Sequence, residues 1–158
     1  MVGKYEIEVS NNRVSFFLEV SRKITIIQGN SGTGKSTLIR LLSEHNRFGV
    51  SSGVKVKSEK ECIAYISVSW KQYIDSLSEK IIFIDGKNPF IYTKEFADTV
   101  RSSDNYFVII VRDLLPELSY DSDAIYGIRE CKDAEKCVKN NHVYNEMYKI
   151  ESREEKCN

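Results

Sequence analysis

Gly29-Asn30-Ser31-Gly32-Thr33-Gly34-Lys35-Ser36 lies between the apolar run Lys23-Ile24-Thr25-Ile26-Ile27 and the helix-like Thr37-Leu38-Ile39-Arg40-Leu41-Leu42. The stretch fits G-x-x-x-x-G-K-[ST], the phosphate-binding loop, with the strand before it and the helix after it that the motif requires. Gly29, Gly32 and Gly34 permit backbone angles that a Cβ would block, so that successive N–H groups can close around phosphate oxygens. A helix beginning near Lys35 adds the positive end of its dipole to that anion site. Lys35 supplies a mobile cation for the β- and γ-phosphates, Ser36 a hydroxyl ligand for Mg²⁺, and Thr37 completes the binding segment. The competing reading is a flexible Gly/Ser turn that happens to hold a lysine. The flanking strand and helix favour the phosphate loop.

Two other apolar runs end in residues that could serve the same site. Ile81-Ile82-Phe83-Ile84-Asp85 reads as a buried strand that delivers a carboxylate at its C-terminal edge, where sheets of this kind place their ligands. Asp85 would hold Mg²⁺ through water, across from Ser36. Tyr106-Phe107-Val108-Ile109-Ile110-Val111 is a second buried-strand run, followed by Arg112-Asp113. Arg112 could contact a γ-phosphate or form a structural ion pair with Asp113 or Asp85, and the sequence favours neither.

The rest of the chain supplies a frame. Lys4 to Val9 and Arg13 to Val20 alternate with period two around an Asn11-Asn12 turn and read as an antiparallel hairpin. The loop helix is expected from Lys35 to about Glu44, a short edge strand over Val54-Lys55-Val56-Lys57, another strand over Cys62 to Ile66, and a helix from Trp70 to about Ser78. Lys55 and Lys57 read as a solvated edge before a phosphate contact, and Trp70 and Tyr73 as packing before base stacking. Thr93 is a plausible N-cap for a helix running to about Ser102. Ala124 to Ile128 looks like a last strand. Val138 to Ile150 could form a strand or a short helix.

With 158 residues, the chain is expected to form one domain over 1–150, with a frayed tail over 151–158. Its 23 basic and 23 acidic residues cancel, which removes the global electrostatic case for nucleic acid or an anionic membrane. No apolar run approaches the length of a membrane span, and Met1 to Glu6 lacks the pattern of a secretion signal, so a cytoplasmic location is expected. Cys62, Cys131, Cys137 and Cys157 form no C-x-x-C pair and give no zinc signature.

Taken together, the loop, Asp85 and Arg112 make the chain resemble a P-loop NTPase. The segment from Tyr5 through Leu38 is similar to the start of ABC-type ATPase domains, and the likeness covers about residues 4 to 113. It implies an α/β fold, a three-layer P-loop NTPase with a mostly parallel central sheet and an N-terminal antiparallel β-hairpin. It also implies ATP and Mg²⁺ as ligands, and it places Arg112 where such domains carry a switch histidine. Only fifty residues separate Lys35 from Asp85, too few for the helical subdomain, and no L-S-G-G-Q-like signature lies between them. Gly86 stands where that group places the glutamate that polarises the attacking water. Glu59, Glu61, Gln72 and Asp113 are the candidate substitutes.

The functional expectation is an ATP–Mg²⁺-binding protein with weak ATPase activity used as a conformational or assembly switch, with Lys35 and Arg112 as its catalytic residues. The alternatives are a small-molecule or nucleoside kinase and a non-catalytic module in which nucleotide is structural. A homodimer or a larger protein partner fits the first and third readings. Nucleic acid has no support from net charge. No N-K-x-D-type segment reads a guanine, which leaves ATP ahead of GTP.

Overall fold

The computed structural model describes residues 4–29, 35–112, 125–131 and 142–150. Its strands are β1 (Tyr5–Ser10), β2 (Val14–Val20), β3 (Ile24–Gln28), β4 (Lys55–Lys57), β5 (Cys62–Ala64), β6 (Ile81–Asp85), β7 (Tyr106–Val111), β8 (Ile125–Glu130) and β9 (Val143–Lys149). Its helices are α1 (Lys35–Phe48), α2 (Trp70–Asp75) and α3 (Lys94–Ser102). All nine strands join one sheet in the order β4-β1-β2-β9-β8-β3-β7-β6-β5.

This arrangement corrects the expected three-layer P-loop NTPase fold with its mostly parallel central sheet. The sheet is mixed, strands account for 40% of the described residues, and the wall of strands curls until it is nearly closed and barrel-like, with only three short α-helices among the described residues. The period-two segments explain the difference. Alternation states which face a strand buries but not which neighbour it takes. The β1–β2 hairpin is therefore no appendage: β1 also pairs antiparallel with β4, and β2 pairs parallel with β9, which runs antiparallel to β8. The other half, β8-β3-β7-β6-β5, is parallel throughout. Nine twisted strands accumulate enough rotation to curl.

Helix α1 lies inside the curl. Its Leu38, Leu41 and Leu42 are wholly buried among Ile7, Val9, Phe16 and Leu18 of the hairpin and Ile81 and Phe83 of β6. The end of the same helix fastens both edges of the sheet. His45 Nδ1 donates to the Val54 carbonyl beside β4 at 3.1 Å. Asn46 Nδ2 donates to the Cys62 carbonyl at 3.0 Å, and its Oδ1 accepts from the Ala64 N–H at 2.8 Å. In β5 the Glu61 carbonyl and the Tyr65 N–H bond to β6, so the Cys62 and Ala64 groups are those that face outward. Asn46 thus takes the place of a missing neighbour strand.

The outer face of β3, β6 and β7 is covered by α2 and α3, through Ile74, Phe96 and Val100 against Ile82, Ile84, Phe107 and Ile109. Thr93 caps α3 by accepting the Phe96 N–H at 3.1 Å. The helix from Lys35 continues one turn beyond its expected end to Phe48, and 143–149 resolves as a strand. Residues 151–158 lie outside the described residues.

Candidate functional site

Three adjacent strands end together. Gln28 of β3 is level with Val111 of β7, and Asp85 of β6 with Ile110 of β7. The ladders run one residue past the strands: the Gly29 N–H donates to the Val111 carbonyl at 3.2 Å, and the Gly86 N–H to the Ile110 carbonyl at 2.7 Å. Gly29, Arg112 and Asp85 therefore sit on one carboxyl edge, in the order β3, β7, β6. At about 4.8 Å per strand, the ends of β3 and β6 are roughly 10 Å apart, with the end of β7 between them. After β3 the chain passes through α1 to β4 at one edge of the sheet, crosses to β5 at the other edge, returns through β6 and β7, and then enters β8 on the far side of β3.

Of the sequence-derived binding residues, Asn30, Ser31, Gly32, Thr33 and Gly34 lie outside the described residues. Lys35 opens α1, Ser36 is exposed and Thr37 half-buried on its first turn. α1 begins six residues after Gly29, and its buried leucines fix the helix against the inner face of the sheet. Arg112 is exposed at the end of β7, between the two other strand ends.

Asp85 is half-exposed, and its two oxygens are differently engaged. Oδ1 accepts the Lys87 N–H at 2.9 Å in a tight turn, and Oδ2 lies 3.8 Å from Lys87 Nζ. The carboxylate is thus oriented by backbone and faces a cation from its own loop. No ion pair joins Asp85 to Arg112 among the described residues, so the guanidinium is not spent on that structural pair. Lys87 was missed from sequence; the Asp-x-Lys spacing of an Asx-type turn was the available signal.

Among the described residues no group of three His, Cys, Asp or Glu comes together. One hydroxyl and one carboxylate are nevertheless a set that suits Mg²⁺, which keeps most of its waters and takes its remaining oxygens from phosphate. If Mg²⁺ binds, Ser36 and Asp85 are the residues to hold it, and the ion would neutralise phosphate charge.

The candidates for activating water separate by edge. Glu61 precedes β5, its carbonyl accepts the Ile81 N–H at the start of β6, and its carboxylate pairs with Lys80 at 3.2 Å. It belongs to the amino edge of the parallel strands, as does Glu59 two residues before it. Neither faces the carboxyl edge. Gln72 is on the exposed side of α2, and Asp113 lies outside the described residues.

Gly86 has a steric reason to be glycine. A Cβ there would stand 2.8 Å from the Ile110 carbonyl oxygen, 2.8 Å from Val111 Cγ1 and 3.2 Å from Val111 Cα. Close approach to β7 bars a side chain from the position after Asp85, the glutamate included. Trp70 is committed to packing: it stacks on Phe90 with centroids 5.0 Å apart and planes 9° apart, and meets Phe96 edge-on at 5.6 Å. Tyr73 packs edge-on against Tyr65 at 5.3 Å. Lys55 and Lys57 are exposed on edge strand β4.

No protein-family model, curated protein or solved structure matches this chain.

Proposed function

We propose that the chain binds a nucleoside triphosphate, ATP in the first instance, with Mg²⁺ at the carboxyl edge of β3, β7 and β6, and uses the bound nucleotide as a conformational or assembly switch. The observation that carries the reading is the convergence of three strand ends. The strand before Gly29–Ser36, the strand ending in Asp85 and the strand followed by Arg112 are neighbours held in register. Residues 30–34 cradle phosphate, Lys35 and the start of α1 supply positive charge, and Ser36 and Asp85 hold the metal. Arg112 reaches the terminal phosphate from the central strand. Hydrolysis is slow, because Gly86 leaves no carboxylate next to Asp85.

Isothermal titration with ATP and Mg²⁺ tests the reading. Wild type is expected to bind with a single site. Lys35→Ala is expected to lose most of the affinity, and Asp85→Asn to lose the Mg²⁺-dependent part alone. No binding by wild type, or equal binding by Lys35→Ala, overturns it.

A further inference from the structure

A second surface stands apart from the nucleotide edge. Helices cover the inner face of the sheet and the outer face of β3, β6 and β7, but no described helix covers the outer face of β1, β2 and β9. A groove of about 1010 Å³ opens there, lined by Phe17 and Tyr144, by five glutamates that include Glu6, Glu8 and Glu146, and by Lys57 and Lys149. Strand alternation puts these side chains outward, because Ile7, Val9, Phe16, Leu18 and Met147 turn to the core with α1.

The register gives the groove its chemistry. Glu8, Phe17, Glu146 and Arg129 are consecutive partners across β1, β2, β9 and β8. The Phe17 ring is 40% exposed, carries a carboxylate on the strand to either side, and stacks on Tyr144 at 6.2 Å with planes 4° apart. One step along, Glu6 faces Glu19 directly, a like-charge pair that costs stability in a sheet. Lys4 reaches Glu19 at 3.4 Å; Lys57 stands opposite Glu8 on β4, but no ion pair is formed by Glu6 or Glu8 among the described residues. At the far end of the row the chain supplies its own example of what such a surface accepts. The Arg129 guanidinium lies 4.6 Å over the Tyr148 ring while its Nε donates to Glu146 at 3.0 Å. The Phe17 end likewise sets an aromatic ring beside carboxylates, with Lys57 and no arginine next in the row.

We infer that this groove docks an extended, arginine-bearing peptide segment of a protein partner, with a guanidinium stacked on Phe17 and Tyr144 and paired to Glu8 and Glu6. Arginine is favoured over lysine because a planar, weakly hydrated cation can stack and bridge carboxylates together. Five carboxylates against two lysines in the lining favour a basic segment over an acidic one.

Fluorescence anisotropy on the full chain tests the inference, with labelled ten-residue peptides that alternate glycine with arginine, lysine or glutamate. The arginine peptide is expected to bind saturably, more tightly than the lysine peptide and less tightly as salt rises. Phe17→Ser and Glu8→Lys are each expected to weaken it at least about tenfold, while Lys35→Ala leaves it unchanged. Glu8→Gln serves if Glu8→Lys alters thermal unfolding, and is expected to show the smaller loss of one charge. Absent binding, equal arginine and lysine peptides, unchanged affinity in the Phe17 and Glu8 variants, or a single-stranded oligonucleotide captured at the same residues would each overturn it.

Discussion

Asn46→Ala should open one edge of the sheet. The side chain makes two hydrogen bonds, 3.0 Å to the Cys62 carbonyl and 2.8 Å from the Ala64 N–H, both to backbone groups of well-buried residues. Asn46 itself is exposed, so water can reach the vacated groups and the full penalty for orphaned polar atoms does not apply. The cost is then that of two ordinary hydrogen bonds, each worth about 0.5–1.5 kcal/mol net, or roughly 2 kcal/mol in all. In a chain of this size that lowers Tm by about 4–8 °C. Asn46→Asp keeps the acceptor for Ala64 but loses the donor to Cys62, and sets a negative charge in the last turn of α1, where the helix dipole opposes it. It should fall between Ala and wild type. An uncovered β5 also offers its outward N–H and C=O groups to a second chain, so Asn46→Ala should show concentration-dependent association that wild type does not. Urea denaturation followed by circular dichroism, with light scattering alongside, measures both effects. Asn46→Ala within 0.5 kcal/mol of wild type and monodisperse at all concentrations would refute the assignment of Asn46 as the closure of that edge.

Gly86→Glu should destabilise the fold by about 1–3 kcal/mol, by overpacking against Ile110 and Val111, without raising phosphate release. A faster ATPase at wild-type stability in urea denaturation and phosphate-release assays would contradict the steric account. Cys62 is 3% exposed and burial pushes its thiol up to about 11, so at pH 8 only about one molecule in a thousand carries the thiolate. Alkylation followed by peptide mapping should find Cys62 protected in the native protein and labelled only after unfolding. The Ser78 hydroxyl, at 2.6 Å, and the Glu79 N–H hold the Asp104 carboxylate below its ordinary range. A depressed native pKa adds stability above the ordinary value of 3.8 that is lost as pH falls through the native one. Asp104→Asn should therefore lie below wild type in thermal unfolding at neutral pH and converge with it in acid; a constant gap would show that the carboxylate charge is irrelevant.

The parts of the molecule legible in sequence are those governed by local pattern. The start of α1 at Lys35, the continuous apolar runs of β3, β6 and β7, and the Thr93 cap each contain their own signal within a few residues. The joining of the sheet does not. Ile125–Glu130 and Val143–Lys149 hold half-exposed tyrosines and charges on one side, a pattern equally compatible with an edge, so nothing local placed them in the middle of nine strands. The closure by His45 and Asn46 depends on side-chain bonds to backbone, which leave no periodicity. Gly86 was visible as a departure from a family pattern, but its cause, the nearness of β7, belongs to the tertiary structure. The expected fold consequently had the right helices and strands over much of the chain and the wrong sheet.

The position of β8 and β9 has a consequence for assembly. β2 and β3 follow one another with only Ser21, Arg22 and Lys23 between them, yet two strands made more than a hundred residues later lie between them in space. During synthesis the first strands must wait, each with one flank open, until the last two emerge and wedge them together. β9 and β8 thus work as a keystone: α1 packs the hairpin against the parallel strands, but no backbone ladder joins β2 to β3 until the last two strands are set. A ribosome stalled before Ile125 would release a chain with two bare flanks, primed to borrow the missing strands from a neighbour.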